Sequence, residues 1–162
     1  MNPAVSDPRQ RIARITLDEH TVKSRSPDID NERAAAIGDL LIDNRFAPVS
    51  GSIGPFDVHM VLEENRLNIE ICSLSGGSSE TVVLPLAAFR RLVKDYFMVC
   101  ESYYQAIRRA NLMQVEALDA GRRSLHDEAS ALLVERLGDK VVIDHHTARR
   151  LFTLICVLHL RG

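Results

Sequence analysis

The residues of this sequence best suited to ligand chemistry are four arginine doublets: Arg90-Arg91, Arg108-Arg109, Arg122-Arg123 and Arg149-Arg150. The planar guanidinium of arginine donates two parallel hydrogen bonds to phosphate or carboxylate oxygens. If the helices that carry the doublets converge, these arginines form a site for an anion, a nucleotide or RNA. The candidate residues for such a site are Arg122, Arg123, Arg149 and Arg150.

Acidic neighbours favour a plainer interpretation of the doublets, in which the arginines are paired on solvated helix faces. Carboxylates that could neutralise them lie at short distances before or after them along the chain: Asp95, Glu101, Asp119, Glu128 and Asp144. The whole chain also has a net charge of −2, so it has no general attraction for nucleic acid. Nucleic acid is therefore kept as an alternative partner and is not the favoured one.

His126 is the second candidate for chemistry. It precedes Asp127 and Glu128, and a His–carboxylate pair could transfer protons in an enzyme. The plainer interpretation is a solvated helix face on which Arg123 pairs with Asp127. We favour this interpretation because no nucleophile is apparent nearby.

Asp144-His145-His146 is the cluster most like a set of metal ligands. Adjacent histidines point about 100° apart on a helix, whereas two helical zinc ligands need a spacing such as i, i+4. Cys72, Cys100 and Cys156 are widely separated, which fits neither a zinc site nor a disulfide framework. The sequence predicts no metal site, and it has no nucleotide-binding or hydrolase motif that would indicate a cofactor.

The N-terminus and the apolar segments indicate the cellular compartment in which we expect the protein. Residues 1–11 have no apolar core of the kind that a signal peptide needs. The longest apolar run, Leu151 to Leu160, is far shorter than the roughly 20 residues of a membrane-spanning helix. We therefore expect a cytoplasmic protein that does not bind membranes.

A β-hairpin is the clearest structural signal. Apolar and polar side chains alternate over residues 56–63 and again over residues 67–72. A two-residue turn at Glu64-Asn65 aligns the apolar faces of the two strands. The predicted pairs are Leu62 with Leu67, Met60 with Ile69, Val58 with Ile71, Glu63 with Arg66, and His59 with Glu70. A third strand over residues 81–84 extends the hairpin into a meander.

Helical spacing follows Pro85 and continues to the end of the chain, interrupted by a short predicted strand over residues 140–143. Ser26, Asn111 and Asp144 are the predicted N-caps of three helices, and another helix begins after Pro85. Gly121 interrupts an otherwise helical pattern, so we expect a kink or break there. The last helix is apolar on nearly all sides, which predicts that it is buried.

Together these elements predict an α+β fold, with an N-terminal antiparallel β-meander packed against a C-terminal array of α-helices. Residues 1–10 are polar and contain two prolines, so we expect them to be disordered. Residues 11–162 then form a single domain, and a short strand near Ile12 opens it.

Three helical segments resemble uncharacterised protein family 0262, a group of small bacterial proteins found mainly in alphaproteobacteria. They are residues 86–109, 117–137 and 147–162. The resemblance implies a single cytoplasmic domain. It implies no activity, ligand or site residue, because the family has none assigned.

The sequence therefore leaves three hypotheses for function. The leading one is a non-enzymatic cytoplasmic binding or regulatory module that acts through a protein partner. The second is a binder of an anion, a nucleotide or RNA through the arginine doublets. The third is an enzyme with its site near His126.

Overall fold

A computed structural model describes residues 7–19 and 26–159. Within them, strands dominate the first half of the chain and helices the second, which confirms the predicted α+β class. Strands β1 (Ile12–Leu17), β3 (Phe56–Glu63), β4 (Arg66–Ser73) and β5 (Ser79–Pro85) form one sheet, in the order β1-β3-β4-β5. Strands β2 (Phe46–Pro48) and β6 (Val141–Ile143) form a separate antiparallel pair.

The register of the meander is the one that the sequence predicts. Met60 faces Ile69 and Glu63 faces Arg66, so the buried face is apolar and the other face carries opposite charges. Strand β1 pairs in parallel with β3, so the sheet is mixed. The parallel pairing needs a crossover, and the chain makes it through helix α1 (Pro27–Ile42).

Three further helices follow the sheet: α2 (Arg90–Arg108), α3 (Leu112–Leu137) and α4 (His145–Leu158). The predicted caps are all present. Ser26 Oγ accepts from Ile29 N, Asn111 Oδ1 from Gln114 N, and Asp144 Oδ1 from Thr147 N. Each cap satisfies one of the backbone donors that the first turn of a helix leaves free.

Helix α4 is the centre of the structure. It packs against α1, α3 and the inner face of the sheet, and every residue of 151–158 is buried. The prediction of a buried last helix is confirmed over these residues, while Leu160 lies outside the described ones. Helices α1 and α3 both flank α4, and a space remains between α1 and α3.

The predicted break at Gly121 is wrong. Helix α3 runs uninterrupted from Leu112 to Leu137. Gly121 is exposed, and a Cβ added there would meet no atom within 4 Å. The glycine therefore costs the helix some stability without interrupting it, because packing of the helix on α2 and α4 outweighs one weak position.

The segment predicted to be disordered, residues 1–10, is described only from Asp7 onward. In that part Gln10 is fully buried. Its Nε2 donates to Ser52 O at 2.8 Å, and its Oε1 accepts from Gly54 N at 2.7 Å. Gln10 therefore belongs to the packed structure, together with β1.

Candidate functional site

A cleft of about 220 Å³ lies between α1, α3 and α4. It brings together three of the four arginines predicted to bind an anion and the histidine predicted as a possible catalytic residue. Its lining residues are Glu32, Ala35, Ala36, Asp39, Arg122, His126, Arg149, Arg150 and Thr153.

The packing of the helices explains why the cleft exists. Helices α1 and α3 both pack along α4, but in the described part of the chain they contact each other little. Ala35 and Ala36 face the opening with side chains of a single methyl group, so they leave it unfilled. An ion pair spans the gap, with Arg122 Nη1 3.3 Å from Glu32 Oε1.

Arg122 is held firmly on one wall. Its Nη2 donates to Asp119 Oδ1 at 3.0 Å, and its guanidinium carbon lies 4.2 Å from the centre of the Tyr103 ring. Burial opposes the charge of Arg122, but the carboxylates of Glu32 and Asp119 outweigh this effect and raise its pKa. Arg122 is therefore a fixed positive charge at the edge of the cleft.

Arg149 and Arg150 supply the cations of the opposite wall. Arg150 Nη2 lies 3.8 Å from Asp39 Oδ2, a long ion pair, and its Nη1 donates to His146 O at 3.2 Å. The Arg149 side chain is half-buried and has no ion pair or hydrogen bond with any described residue. Arg149 is thus a positive charge without a counterion among the described residues.

His126 lies at the inner end of the cleft and is only 6% exposed. Its ring makes edge contacts with Tyr96 and Phe152, at centroid distances of 5.7 and 6.1 Å. Burial, and then the charges of Arg149, Arg122 and Arg150, lower the pKa of His126 to about 4. The imidazole is therefore neutral at pH 7, and its Nδ1 is buried with no partner among the described residues.

The sequence analysis missed both acidic residues of this site, Asp39 and, with more contacts, Glu32. The Glu32 carboxylate accepts from Tyr104 Oη at 2.9 Å and from Tyr96 Oη at 3.4 Å, in addition to the pair with Arg122. Burial and this carboxylate raise the pKa of Tyr104. The sequence contained a signal for Glu32: it lies between Ile29 and Ala36 at the helical spacing of residues on the buried face of α1.

Buried thiols and hydroxyls near the cleft do not form a catalytic set. Burial, followed by the charge of Glu32, raises the pKa of Cys100 to about 12, so its thiol stays protonated. The Thr153 hydroxyl donates to the backbone of Arg149 at 3.3 Å. No described carboxylate bonds to Nδ1 of His126, so nothing orients this imidazole as a general base.

The other predicted candidates lie elsewhere. Arg123 points away from the cleft, is 61% exposed and pairs with Asp119 rather than with Asp127. The interpretation of His126 as part of a solvated face is wrong, because α3 buries that side against α2 and α4. The other two doublets are partly neutralised, since Arg91 pairs with Asp95 and Glu128, and Arg108 pairs with Asp28.

His145 and His146 are both exposed in the first turn of α4, behind the Asp144 cap. Across residues 7–19 and 26–159, no three His, Cys, Asp or Glu side chains are grouped as metal ligands. None of the helices in these ranges has the length and apolar character needed to cross a bilayer.

The charges that line the cleft can be counted directly. Arg122, Arg149 and Arg150 contribute three positive charges, Glu32 and Asp39 contribute two negative ones, and His126 is neutral. The cleft is therefore positive by one charge, inside a chain that is negative overall. Such a local excess of guanidinium is chemically suited to hold an anion.

Comparison with known proteins identifies the family. The profile described as "Uncharacterised protein family (UPF0262)" matches residues 9–161. A UPF0262 protein of Nitrobacter winogradskyi is 52% identical over 160 residues, which cover 99% of this chain and 96% of the relative. A UPF0262 protein of Rhodospirillum rubrum is 55% identical over 148 residues, 91% of each chain. No solved structure matches the chain. The resemblance seen in the helical segments is thus confirmed, and the chain belongs to uncharacterised protein family UPF0262.

Proposed function

We propose that this protein binds a small anionic ligand, bearing a phosphate group or a group of similar charge, in the cleft between α1, α3 and α4. The observation that carries the proposal is the convergence of Arg122, Arg149 and Arg150 on one concave site. Arg149 has no counterion there among the described residues. A charged group of a ligand would supply one.

The size of the cleft supports a small ligand or a single charged group. Its volume of about 220 Å³ is below the range of about 300–1,000 Å³ that is typical of drug-sized ligands. A phosphate group fits this description better than a nucleotide base does. A nucleic acid would need an extended basic surface, and the paired state of Arg91 and Arg108 argues against one.

The other two hypotheses from the sequence have less support. A module that acts through a protein partner has no feature of the described residues to support it, whereas the anion hypothesis is supported by three arginines that line one cleft. An enzyme centred on His126 lacks a nucleophile and a residue to orient the imidazole among the described neighbours. Binding is therefore the function that the geometry supports best.

Titration calorimetry with sulfate and inorganic phosphate tests the proposal on the full chain. We expect both ions to bind, and Arg149→Gln to weaken binding by about tenfold to a hundredfold, since a hydrogen bond to a charged group contributes about 1.5–3 kcal/mol. The matched control is Arg123→Gln, because Arg123 also belongs to a doublet but does not line the cleft. Equal losses in both variants, or no binding by the wild type, would contradict the proposal.

A further inference from the structure

We propose that a doubly charged anion entering the cleft draws one proton onto His126, whereas a singly charged anion binds without one. This inference rests on the proposed function and adds regulation by pH to it. The proton comes from solvent and is added to the imidazole ring, which becomes imidazolium. No other bond forms or breaks.

The position of His126 is the geometric basis. The side chain is more than nine-tenths buried, lines the cleft, and has an Nδ1 atom without a partner among the described residues. The rings of Tyr96 and Phe152 pack against the imidazole through edge contacts. His126 therefore borders the space that a bound anion would occupy, so a protonated ring would lie close to the charge of that anion.

Charged and titratable groups face His126 from all four helices packed around it. Helix α1 contributes Glu32 and Asp39, and α2 contributes the Tyr96 hydroxyl and the Cys100 thiol, which both stay protonated. Helix α3 itself contributes Arg122 and Asp127. Helix α4 contributes Arg149, Arg150 and the buried Cys156 thiol, which also stays protonated. Asp127 does not line the cleft, and the charged groups that do line it leave a net charge of plus one beside the imidazole.

The charge balance decides how many protons bind. A singly charged anion neutralises the cleft, so His126 gains nothing from protonation. A doubly charged anion leaves one negative charge in excess, and a proton on His126 cancels it. The same anion screens His126 from the three arginines whose charges, after burial, lower the pKa of its imidazole in the empty protein.

Sulfate and nitrate are the probes that separate these cases, because neither ion titrates near neutral pH. Phosphate is less suitable, since its own second ionisation falls near pH 6 in monoesters. Calorimetry at about pH 6 in MES and in bis-Tris, two buffers with different ionisation enthalpies, reports the protons taken up on binding. We expect about one proton with sulfate and about none with nitrate.

The matched variant is His126→Gln, which keeps a polar side chain but cannot titrate. It should bind sulfate about tenfold more weakly at pH 6 and take up no proton. Sulfate binding to the wild type should tighten as the pH falls from about 7 to about 5, because protonation and binding are linked. The ring signals of His126 in NMR spectra of the wild type should show the proton directly, whether or not the variant folds.

Two results would overturn the inference and can be told apart. Sulfate binding without proton uptake, or with uptake that persists in His126→Gln, contradicts the role of His126 and leaves the proposed function standing. Failure of sulfate and nitrate to bind at all contradicts both proposals together.

Discussion

Glu32 Oε1 lies 3.3 Å from Arg122 Nη1, and this ion pair joins α1 to α3 across the mouth of the cleft. Both side chains are largely covered, at 16% and 18% exposure, so solvent screens the pair less than it screens the surface pairs. The Glu32 carboxylate lies beside Arg122, in the position to which the same guanidinium would attract an anionic ligand. Glu32 therefore competes with an anion for Arg122 while it holds the two helices together.

Glu32→Gln should tighten sulfate binding by about fivefold, because it removes a negative charge that faces the site. The amide oxygen can still accept from Tyr104, so we expect the free energy of unfolding to fall by only about 1 kcal/mol. Calorimetry and urea denaturation measure the two effects. Asp119→Asn is the control, because Asp119 also pairs with Arg122 but does not line the cleft. Weaker binding by Glu32→Gln would contradict this account of the pair.

Arg149→Gln should raise the pKa of His126 in the empty protein. Burial is the largest cause of the low pKa, about 4, and the charge of Arg149 is the next. Removing that charge moves the titration of His126 upward, toward the ordinary value near 6.5. An NMR titration of the imidazole signals measures the change, and Arg123→Gln should leave it unaltered. An unchanged pKa in Arg149→Gln would mean that Arg149 does not act on this ring.

Acid should destabilise the wild type more than His126→Phe. Because the native pKa of His126 is lowered to about 4, the unfolded chain takes up the proton first as the pH falls below about 6.5. The contribution of neutral His126 is thus present above about pH 6.5 and is lost as the pH falls to about 4. We expect the wild type to lose up to about 3 kcal/mol more than the variant across this window.

Urea denaturation at several pH values provides the comparison, since the carboxylates titrate alike in both proteins. Phenylalanine retains the edge contacts with Tyr96 and Phe152, so the variant should fold. Parallel stability curves for the two proteins would show that His126 is not held in the neutral form.

Gly121→Ala should stabilise the protein by about 0.5–1 kcal/mol, because alanine is the better helix former and the added methyl group meets open space. Thermal unfolding measures this gain. The control is Gly138→Ala at the end of the same helix, where a Cβ would lie 3.2 Å from Val134 O. That variant should gain nothing. Destabilisation by Gly121→Ala would contradict the open space beside this position of α3.

Local patterns were sufficient to predict most of the fold. The register of β3 with β4 follows from alternation, because a slip by one residue would expose Met60 and Ile69. The caps at Ser26, Asn111 and Asp144 follow from the chemistry of those side chains. The parallel pairing of β1 with β3 had no local signal, since it depends on where α1 returns the chain.

The cleft was only partly predictable for a similar reason. The doublets and the chemistry of the guanidinium group singled out Arg122, Arg123, Arg149 and Arg150. They could not distinguish Arg122 from Arg123 until the buried side of α3 was known. Adjacent residues on a helix face directions about 100° apart, so Arg122 lines the cleft while Arg123 faces solvent, whereas Arg149 and Arg150 both line it. Glu32 was missed because its partners are all distant in sequence.

The most direct test of an anion site in this cleft is an NMR titration of the arginine Nε–H signals with sulfate. We predict that the signals of Arg122, Arg149 and Arg150 shift and saturate together, while those of Arg123 and Arg108 do not follow them. Small, unsaturated shifts spread evenly over all the arginines would indicate only general salt effects and would contradict the site.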